Sequence, residues 1–319
     1  MQRLSGGMQN IENGQLTKCN RFRNGDQMKG IILAGGTGSR LFPMTLVTSK
    51  QLLPVYDKPM IYYPMSTLLQ AGIHEILIIS TPEDLPNFKR LFGSGEALGI
   101  SLSYMVQEKP EGLAQAFLLG REFIGGEPCA MILGDNLFHG AGLPLLLKKA
   151  AKKESGATIF AAYTKTPERF GVVEFDSQHR AVSIEEKPKK PKSDYCVTGL
   201  YFYDGRASEF AAELTPSARG ELEITDLNNR YLNAGDLEVV CLDKDTIWMD
   251  MGTVASLWEA QEVVKRIQQE NGTHIGMLEE AAFRQGFLSR EALAAYAEKY
   301  RATAYGAYLK NICEEGKEY

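Results

Sequence analysis

The stretch GIILAGGTGSRLFPMTLVTSKQLLPV, Gly30–Val55, opens as an apolar strand, breaks into glycines, and places Arg40 and Lys50 downstream. A glycine turn after a buried strand reads as a phosphate cradle. Glycine accepts positive φ angles and lets backbone N–H groups approach an anion closely. Three phosphate-binding chemistries compete for it. The P-loop needs G-x-x-x-x-G-K-[ST], but Ser39 and Arg40 follow Gly38 and the next lysine is Lys50. The dinucleotide fingerprint needs G-x-G-x-x-G opening a helix. Gly36-Thr37-Gly38 begins that pattern, yet Leu41 stands where the third glycine belongs and Pro43 interrupts any helix. A nicotinamide-dependent dehydrogenase is therefore disfavoured. A substrate triphosphate fits better, wrapped by Gly35, Gly36, Thr37 and Gly38 and neutralised by Arg40 and Lys50.

The segments around this loop predict an α/β chain. Residues 61–73 read as a helix stopped by Gly72, 73–81 as a continuous apolar strand, 112–125 as one helix, and CAMILGDN (129–136) as another buried strand. Strands alternating with helices at this spacing imply βαβ units and a Rossmann-like, mostly parallel open sheet with helices on both faces. Beyond Lys153 the rhythm changes. GVVEFDSQHRAVSIEEKP reads as two antiparallel strands turning near Ser177–His179, with Val173 and Phe175 facing one side and Val172 and Glu174 the other. This predicts a half-exposed sheet extension over a pocket. A helix over 255–272 and a single helical tail over 290–312, striped with Tyr296, Tyr300, Tyr305 and Tyr308, complete the chain.

The 319 residues carry a formal net charge of −5, which argues against a nucleic-acid surface. The five cysteines, Cys19, Cys129, Cys196, Cys241 and Cys313, form no C-x-x-C pair. That spacing suits neither a disulfide framework nor a zinc site, and it points to a reducing cytoplasmic setting. No apolar run approaches the roughly 18 residues of a membrane helix. Residues 1–27 are polar and aperiodic and are expected to be a disordered extension. The organised part is expected over 28–319: a nucleotide-binding part (28–153), a sugar-binding part (154–253) and C-terminal helices (254–319).

Five motifs stand in order: L-A-G-G-T-G-S-R-L-F-P, S-K-Q-L-L-P-V, G-D-N, E-E-K-P and R-G-E-L-E-I-T-D. Together they resemble the sugar-1-phosphate nucleotidylyltransferases, from Met28 to Tyr319. The resemblance implies transfer of a nucleotidyl group from dTTP to glucose 1-phosphate, with uridylyl or cytidylyl transfer and a non-catalytic nucleotide-sugar binder as alternatives. It implies Mg²⁺ on Asp135 and Asp250, two strand-end carboxylates that can share one cation while phosphates complete its octahedron. It further implies that Arg40 and Lys50 meet the triphosphate, and that Leu33, Gln51, Gln107 and Gly112 line the base site. Lys187 and Arg219 would grip the sugar phosphate, with Glu186 accepting from sugar hydroxyls and Gly171, Val197 and Tyr201 beside it. Without that context an E-E-K-P run reads as a solvated turn. A glutamine offers both donor and acceptor to a pyrimidine edge, which matches thymine's imide and carbonyl groups. A homotetramer, feedback inhibition by a dTDP-sugar such as dTDP-rhamnose, and entry into dTDP-rhamnose synthesis are also implied. Two departures stand out. Phe170 replaces the tyrosine common before this glycine, and Met251 replaces the threonine common after the metal-binding aspartate.

Overall fold

The computed structural model describes residues 28–315; the expected extension over 1–27, with Cys19, lies outside the described residues. In chain order the strands are β1 (Lys29–Leu33), β2 (Pro54–Val55), β3 (Lys58–Pro59), β4 (Glu75–Ser80), β5 (Ser101–Val106) and β6 (Cys129–Leu133). They continue as β7 (Asn136–His139), β8 (Ala157–Tyr163), β9 (Gly171–Phe175), β10 (Ala181–Glu186), β11 (Tyr195–Tyr203), β12 (Leu237–Cys241) and β13 (Ile247–Asp250). The main sheet runs β10-β9-β11-β6-β1-β4-β5, with β8 joining β11 to β12. Strands β6, β1, β4 and β5 are mutually parallel, whereas β11 pairs antiparallel with β6, β8 and β9. One sheet therefore runs through both the nucleotide-binding and sugar-binding stretches expected from sequence.

The apolar run of β1 is explained by cover on both faces. Ile32 joins one core cluster with Met65 and Leu68 of the helix Tyr62–Gln70, while Ile31 and Leu33 join another with Ala116, Phe117 and Tyr231. Each fully buried isoleucine contributes roughly 1.5–3 kcal/mol, so β1 is fixed in register by its side chains.

Three expectations need correction. The helix expected over 112–125 is two helices, Gln115–Leu119 and Arg121–Ile124, meeting at Gly120. A Cβ there would stand 3.2 Å from Leu77 and 3.4 Å from Ile31, so glycine lets the chain turn against the sheet. The C-terminal tail is likewise two helices, Arg290–Lys299 and Ala304–Glu314. The second restarts where the Thr303 side chain accepts the Gly306 N–H. The four tyrosines of the two helices and their junction, Tyr296, Tyr300, Tyr305 and Tyr308, pack against the main core. Strand β9 does pair antiparallel with β10, but Val172 and Val173 are both buried and exposure grows only from Glu174. The start of β9 borders the site described below, and both of its faces are covered there.

Candidate active site

A cleft of about 440 Å³ opens beyond the C-terminal ends of β1 and β6, where an open parallel sheet places its ligand groups. Every site residue expected from sequence lines it except Gly38. Gly38 instead makes the turn, at φ 58°, and its carbonyl accepts the Thr45 hydroxyl at 2.8 Å. Gly36, at φ 101°, bends the loop so that Gly35, Gly36 and Thr37 border the cleft. Among the described residues the backbone N–H groups of these three have no acceptor. They form a set of donors suited to phosphate oxygens.

The two carboxylates are brought together by a separate two-stranded ribbon. After β6 the chain turns through Gly134 and Asp135 into β7, which pairs antiparallel with β13 so that Asp250 stands opposite Asn136. The Met251 N–H donates to the Asp135 carbonyl at 2.9 Å and closes the ribbon. Asp250 is thus a strand end, as expected, but outside the main sheet. A capping box between Thr253 and Ser256 starts the helix Val254–Asn271 directly afterwards. Such a cap is worth about 1 kcal/mol, and it fixes where β13 stops.

Lys50 Nζ donates to Asp135 Oδ2 at 2.5 Å, and Asn136 Nδ2 donates to Oδ1 at 3.3 Å. Burial pushes the Asp135 carboxyl up, but Lys50 and these hydrogen bonds outweigh it and hold the group below the usual carboxylate range. Asp250 behaves in the opposite way. Burial, followed by the charge of Asp135, raises it above the usual range despite Lys50, Arg40 and Arg169 nearby. The buried Asp135 and the half-buried Asp250 form a hard-oxygen pair beside Lys50, with Arg40 and Arg169 nearby. That donor set fits Mg²⁺. No group of three or more His, Cys, Asp or Glu gathers among the described residues, so phosphate and water oxygens would complete the coordination. Gly252 lets Arg40 and Asp250 approach the backbone closely. A Cβ would lie 2.7 Å from the Arg40 guanidinium and 3.0 Å from Asp250 Oδ1.

At the other end of the cleft, Glu186 accepts the Thr225 hydroxyl at 2.6 Å. Lys187 adopts φ 45°, a left-handed conformation that costs a non-glycine residue roughly 1–2 kcal/mol. Its N–H donates to the Phe170 carbonyl at 3.0 Å, which holds the chain in that conformation. Arg219 is engaged with carboxylates rather than free. Its NH2 group donates to both Glu223 oxygens at 2.8 Å, Nε donates to Oε1 at 3.0 Å, and Glu221 and Glu186 lie at 3.2 and 3.5 Å. Gly171, Val197 and Tyr201 form the wall beside them. Leu33, Gly112 and the buried Gln51 and Gln107 line the opposite wall.

Sequence reasoning missed several residues of this cleft. Arg169 stands 4.0 Å from Asp250 Oδ2. Trp248 donates its indole N–H to Asn136 Oδ1 at 2.7 Å, and that oxygen also accepts the Gly199 N–H at 3.1 Å. Glu223 and Thr225 orient Arg219 and Glu186. The available signals were adjacency alone: Arg169 directly precedes Phe170, and Trp248 shortly precedes Asp250. The two departures also resolve. Met251 is fully buried in a third core cluster with Leu41 and Leu137, so its side chain serves packing. Phe170 stands edge-on to Trp248 at 5.3 Å, with the Arg169 guanidinium over its ring at 5.3 Å.

The profile of the family described as Nucleotidyl transferase matches residues 29–266. A glucose-1-phosphate thymidylyltransferase of Neisseria meningitidis is 57% identical over 288 residues, 90% of this chain and all of that protein. One of Mycobacterium tuberculosis is 49% identical over 90% of this chain and 99% of its own length. A Bacillus anthracis crystal structure, described as a glucose-1-phosphate thymidylyltransferase in complex with sucrose, superposes with a TM-score of 0.68 at 46% identity. The match covers 74% of this chain and 94% of that one. A UDP-glucose pyrophosphorylase complexed with UDP-glucose is more distant, with a TM-score of 0.65 at 25% identity over 75% and 99% of the two chains. With a family profile over most of the sequence and relatives matched along their whole length, this chain belongs to the nucleotidyl transferase family, among its glucose-1-phosphate thymidylyltransferases.

Proposed function

We propose that the cleft joins glucose 1-phosphate to the thymidylyl group of dTTP, releasing pyrophosphate and forming dTDP-glucose. The observation that carries this reading is the convergence of Arg40, Lys50, Arg169, Lys187 and Arg219 on one cleft that also holds the Asp135–Asp250 pair. Two anionic substrates need that much positive charge to approach each other.

In the reaction, an oxygen of the sugar phosphate attacks the α-phosphorus in line, and the bond from that phosphorus to the bridging oxygen breaks. No protein nucleophile is required, so the work is alignment and charge stabilisation. Lys187 and Arg219 hold the sugar phosphate, and Glu186, oriented by Thr225, accepts from sugar hydroxyls. For Arg219 this means exchanging part of its contact with Glu223 for phosphate. The N–H groups of Gly35, Gly36 and Thr37 cradle the triphosphate. Arg40, beside Gly252, offers a planar guanidinium to the departing pyrophosphate. Asp135 and Asp250 would hold Mg²⁺, which when bound supplies Lewis-acid neutralisation of the phosphates. Lys50, held by Asp135 in a cleft-lining position, adds a second positive charge next to that pair.

The homotetramer, the feedback inhibition by a dTDP-sugar and the entry into dTDP-rhamnose synthesis belong to the same reading. So does a reducing cytoplasmic setting, which the four free cysteines among the described residues suit. Pyrophosphate release with glucose 1-phosphate and each of dTTP, UTP, CTP and ATP tests the activity. Release is expected to be fastest with dTTP. No release with any nucleotide would sink the enzyme reading, and a UTP rate equal to the dTTP rate would undo the thymidylyl assignment.

A further inference from the structure

Two glutamines face the base end of the cleft, and a glutamine can present either its carbonyl or its amide N–H₂. The hydrogen bonds behind these two residues decide which. Gln115 Nε2 donates to Glu111 Oε2 at 2.8 Å, and a carboxylate can only accept. The backbone N–H of the same Glu111 donates to Gln115 Oε1 at 3.1 Å, and an N–H can only donate. One residue thus fixes both ends of the Gln115 amide. The Glu111 backbone is itself pinned, since the Leu222 N–H donates to the Glu111 carbonyl at 2.7 Å and the Ala114 N–H to the Leu222 carbonyl at 3.1 Å.

Gln115 Oε1 also accepts from Gln107 Nε2 at 2.7 Å. The Gln107 amide therefore has only one orientation left, with Oε1 turned away from Gln115. That oxygen lies against Gly35, where an added Cβ would come within 1.9 Å of it. On the neighbouring wall the Ser49 hydroxyl accepts the Gln51 backbone N–H at 3.3 Å and gives its proton to Gln51 Oε1 at 2.5 Å. In that arrangement Gln51 presents Nε2, although a hydroxyl, unlike a carboxylate or an N–H, can take either role. Neither Gln107 Oε1 nor Gln51 Nε2 has a hydrogen-bond partner among the described residues, and neither is among the fully buried polar atoms left unpaired. Both line the cleft.

We infer that Gln115, acting through Gln107, sets an outward acceptor at the base site, beside which Gln51, whose Oε1 takes the Ser49 proton, stands with its amide N–H₂ outward. This selects an imide edge, an N–H beside a carbonyl, and rejects the reversed edge of a 4-aminopyrimidine. Gln115 does not line the cleft; it is a positioning residue. The inference rests on the nucleotide-binding reading of the cleft given above. It extends that reading by explaining the choice between pyrimidine classes, which a methyl-contacting wall cannot make. Leaving a buried polar group facing its like is far more costly than losing one apolar contact.

The test uses the full chain and a matched pair of probes, dTTP and 5-methyl-dCTP, which share the methyl group, sugar and triphosphate and differ only at the edge in question. Calorimetry gives binding, and pyrophosphate release with glucose 1-phosphate gives turnover. The wild-type chain is expected to prefer dTTP in binding by roughly 100-fold or more. Gln115→Leu frees Gln107 to turn over and is expected to shrink that ratio at least ~10-fold, with the KM for glucose 1-phosphate unchanged. Glu111→Ala, at an exposed position, removes the acceptor of Gln115 Nε2 but keeps the backbone N–H on Oε1, so a smaller shift in the same direction is expected. The Gln115→Glu, Glu111→Gln double variant reverses the pair. The new carboxylate still accepts from Gln107, so the dTTP preference is expected to return. Equal wild-type affinity for the two probes, or a full preference retained in both Gln115→Leu and Glu111→Ala, would overturn the inference. A clear dTTP preference in binding without pyrophosphate release would overturn the proposed activity and leave the polarity assignment standing.

Discussion

Lys50 and Lys58 lie on the same stretch of chain and make ion pairs of the same length, 2.5 Å, with Asp135 and Asp57 respectively. What surrounds each pair differs. Lys58 is 2% exposed and also donates to Gln268 Oε1 at 3.2 Å, while Gln268 Nε2 donates to Asp57 Oδ2 at 3.1 Å. The rings of Tyr63 and Tyr305 lie about its ammonium, and His274 stands 3.7 Å from Asp57. Lys58 and Asp57 are thus each held by more than one partner, and the network ties the β2–β3 turn to the C-terminal helices. Around Lys50 the balance is left open. Asp250 adds a second, half-buried carboxylate that makes no close ion pair, with Arg169 4.0 Å away, and both acids line a cleft. Breaking one partner of a closed pair destabilises a fold, whereas perturbed carboxylates beside a cleft mark a binding site.

The largest effect should come from breaking the open network. Asp250→Asn is expected to lower turnover roughly 10²–10³-fold. It also removes like-charge repulsion at a buried site and keeps the hydrogen bond from the Gly252 N–H. In chelator, its melting temperature should therefore equal or exceed that of the wild type. A clear loss of stability would show that Asp250 is held by its surroundings and is not in surplus.

The closed network should respond the opposite way. Lys58→Met leaves Asp57 without its main partner, a loss of about 3 kcal/mol where a buried pair is broken. Calorimetric melting should fall by roughly 5–10 °C, while kcat of the folded protein stays within about threefold. A turnover loss as large as that of Asp250→Asn would erase the distinction between the two pairs.

A smaller effect is pH-dependent. Burial pushes the Asp57 carboxyl up, but His274, Lys58 and Gln268 outweigh it and hold it well below the carboxylate range. Because the folded value is depressed, its stabilisation is complete above the unfolded value near ~4 and is lost as the pH falls below it. Asp57→Asn should therefore lower the melting temperature at pH 7 and flatten its fall in acid. An unchanged acid limb would mean that other carboxylates govern it.

The smallest effect is expected at the base. The thymine methyl contributes apolar contact alone, so dTTP should exceed UTP in kcat/KM by about 10–200-fold. A larger ratio would require a polar contact to the 5-position.

What the sequence disclosed follows from the range of the interactions involved. The glycine turn, the helix ending at Gly272 and the strand pair around Glu186 rest on local backbone preferences and were legible, whereas the strand expected over 129–136 stops at Leu133 and turns into β7. The joining of Asp135 to Asp250 was not, because it depends on a ribbon between segments more than a hundred residues apart. Only family likeness suggested that pairing. Arg169 and Thr225 were missed for the same reason, since each acquires its role from a neighbour supplied by folding, whereas Glu223 holds Arg219 from four residues away within the quoted motif. Gln115 looks in sequence like any helix residue. Its significance lies in which of its atoms Glu111 occupies.

The most direct test is pyrophosphate release from dTTP and glucose 1-phosphate at millimolar Mg²⁺, comparing the wild-type chain with Asp135→Asn. Rapid release by the wild type and a loss of at least about 10³-fold in a variant that melts normally are expected. Near-normal release by Asp135→Asn would contradict the account, because the open pair would then have no part in the chemistry.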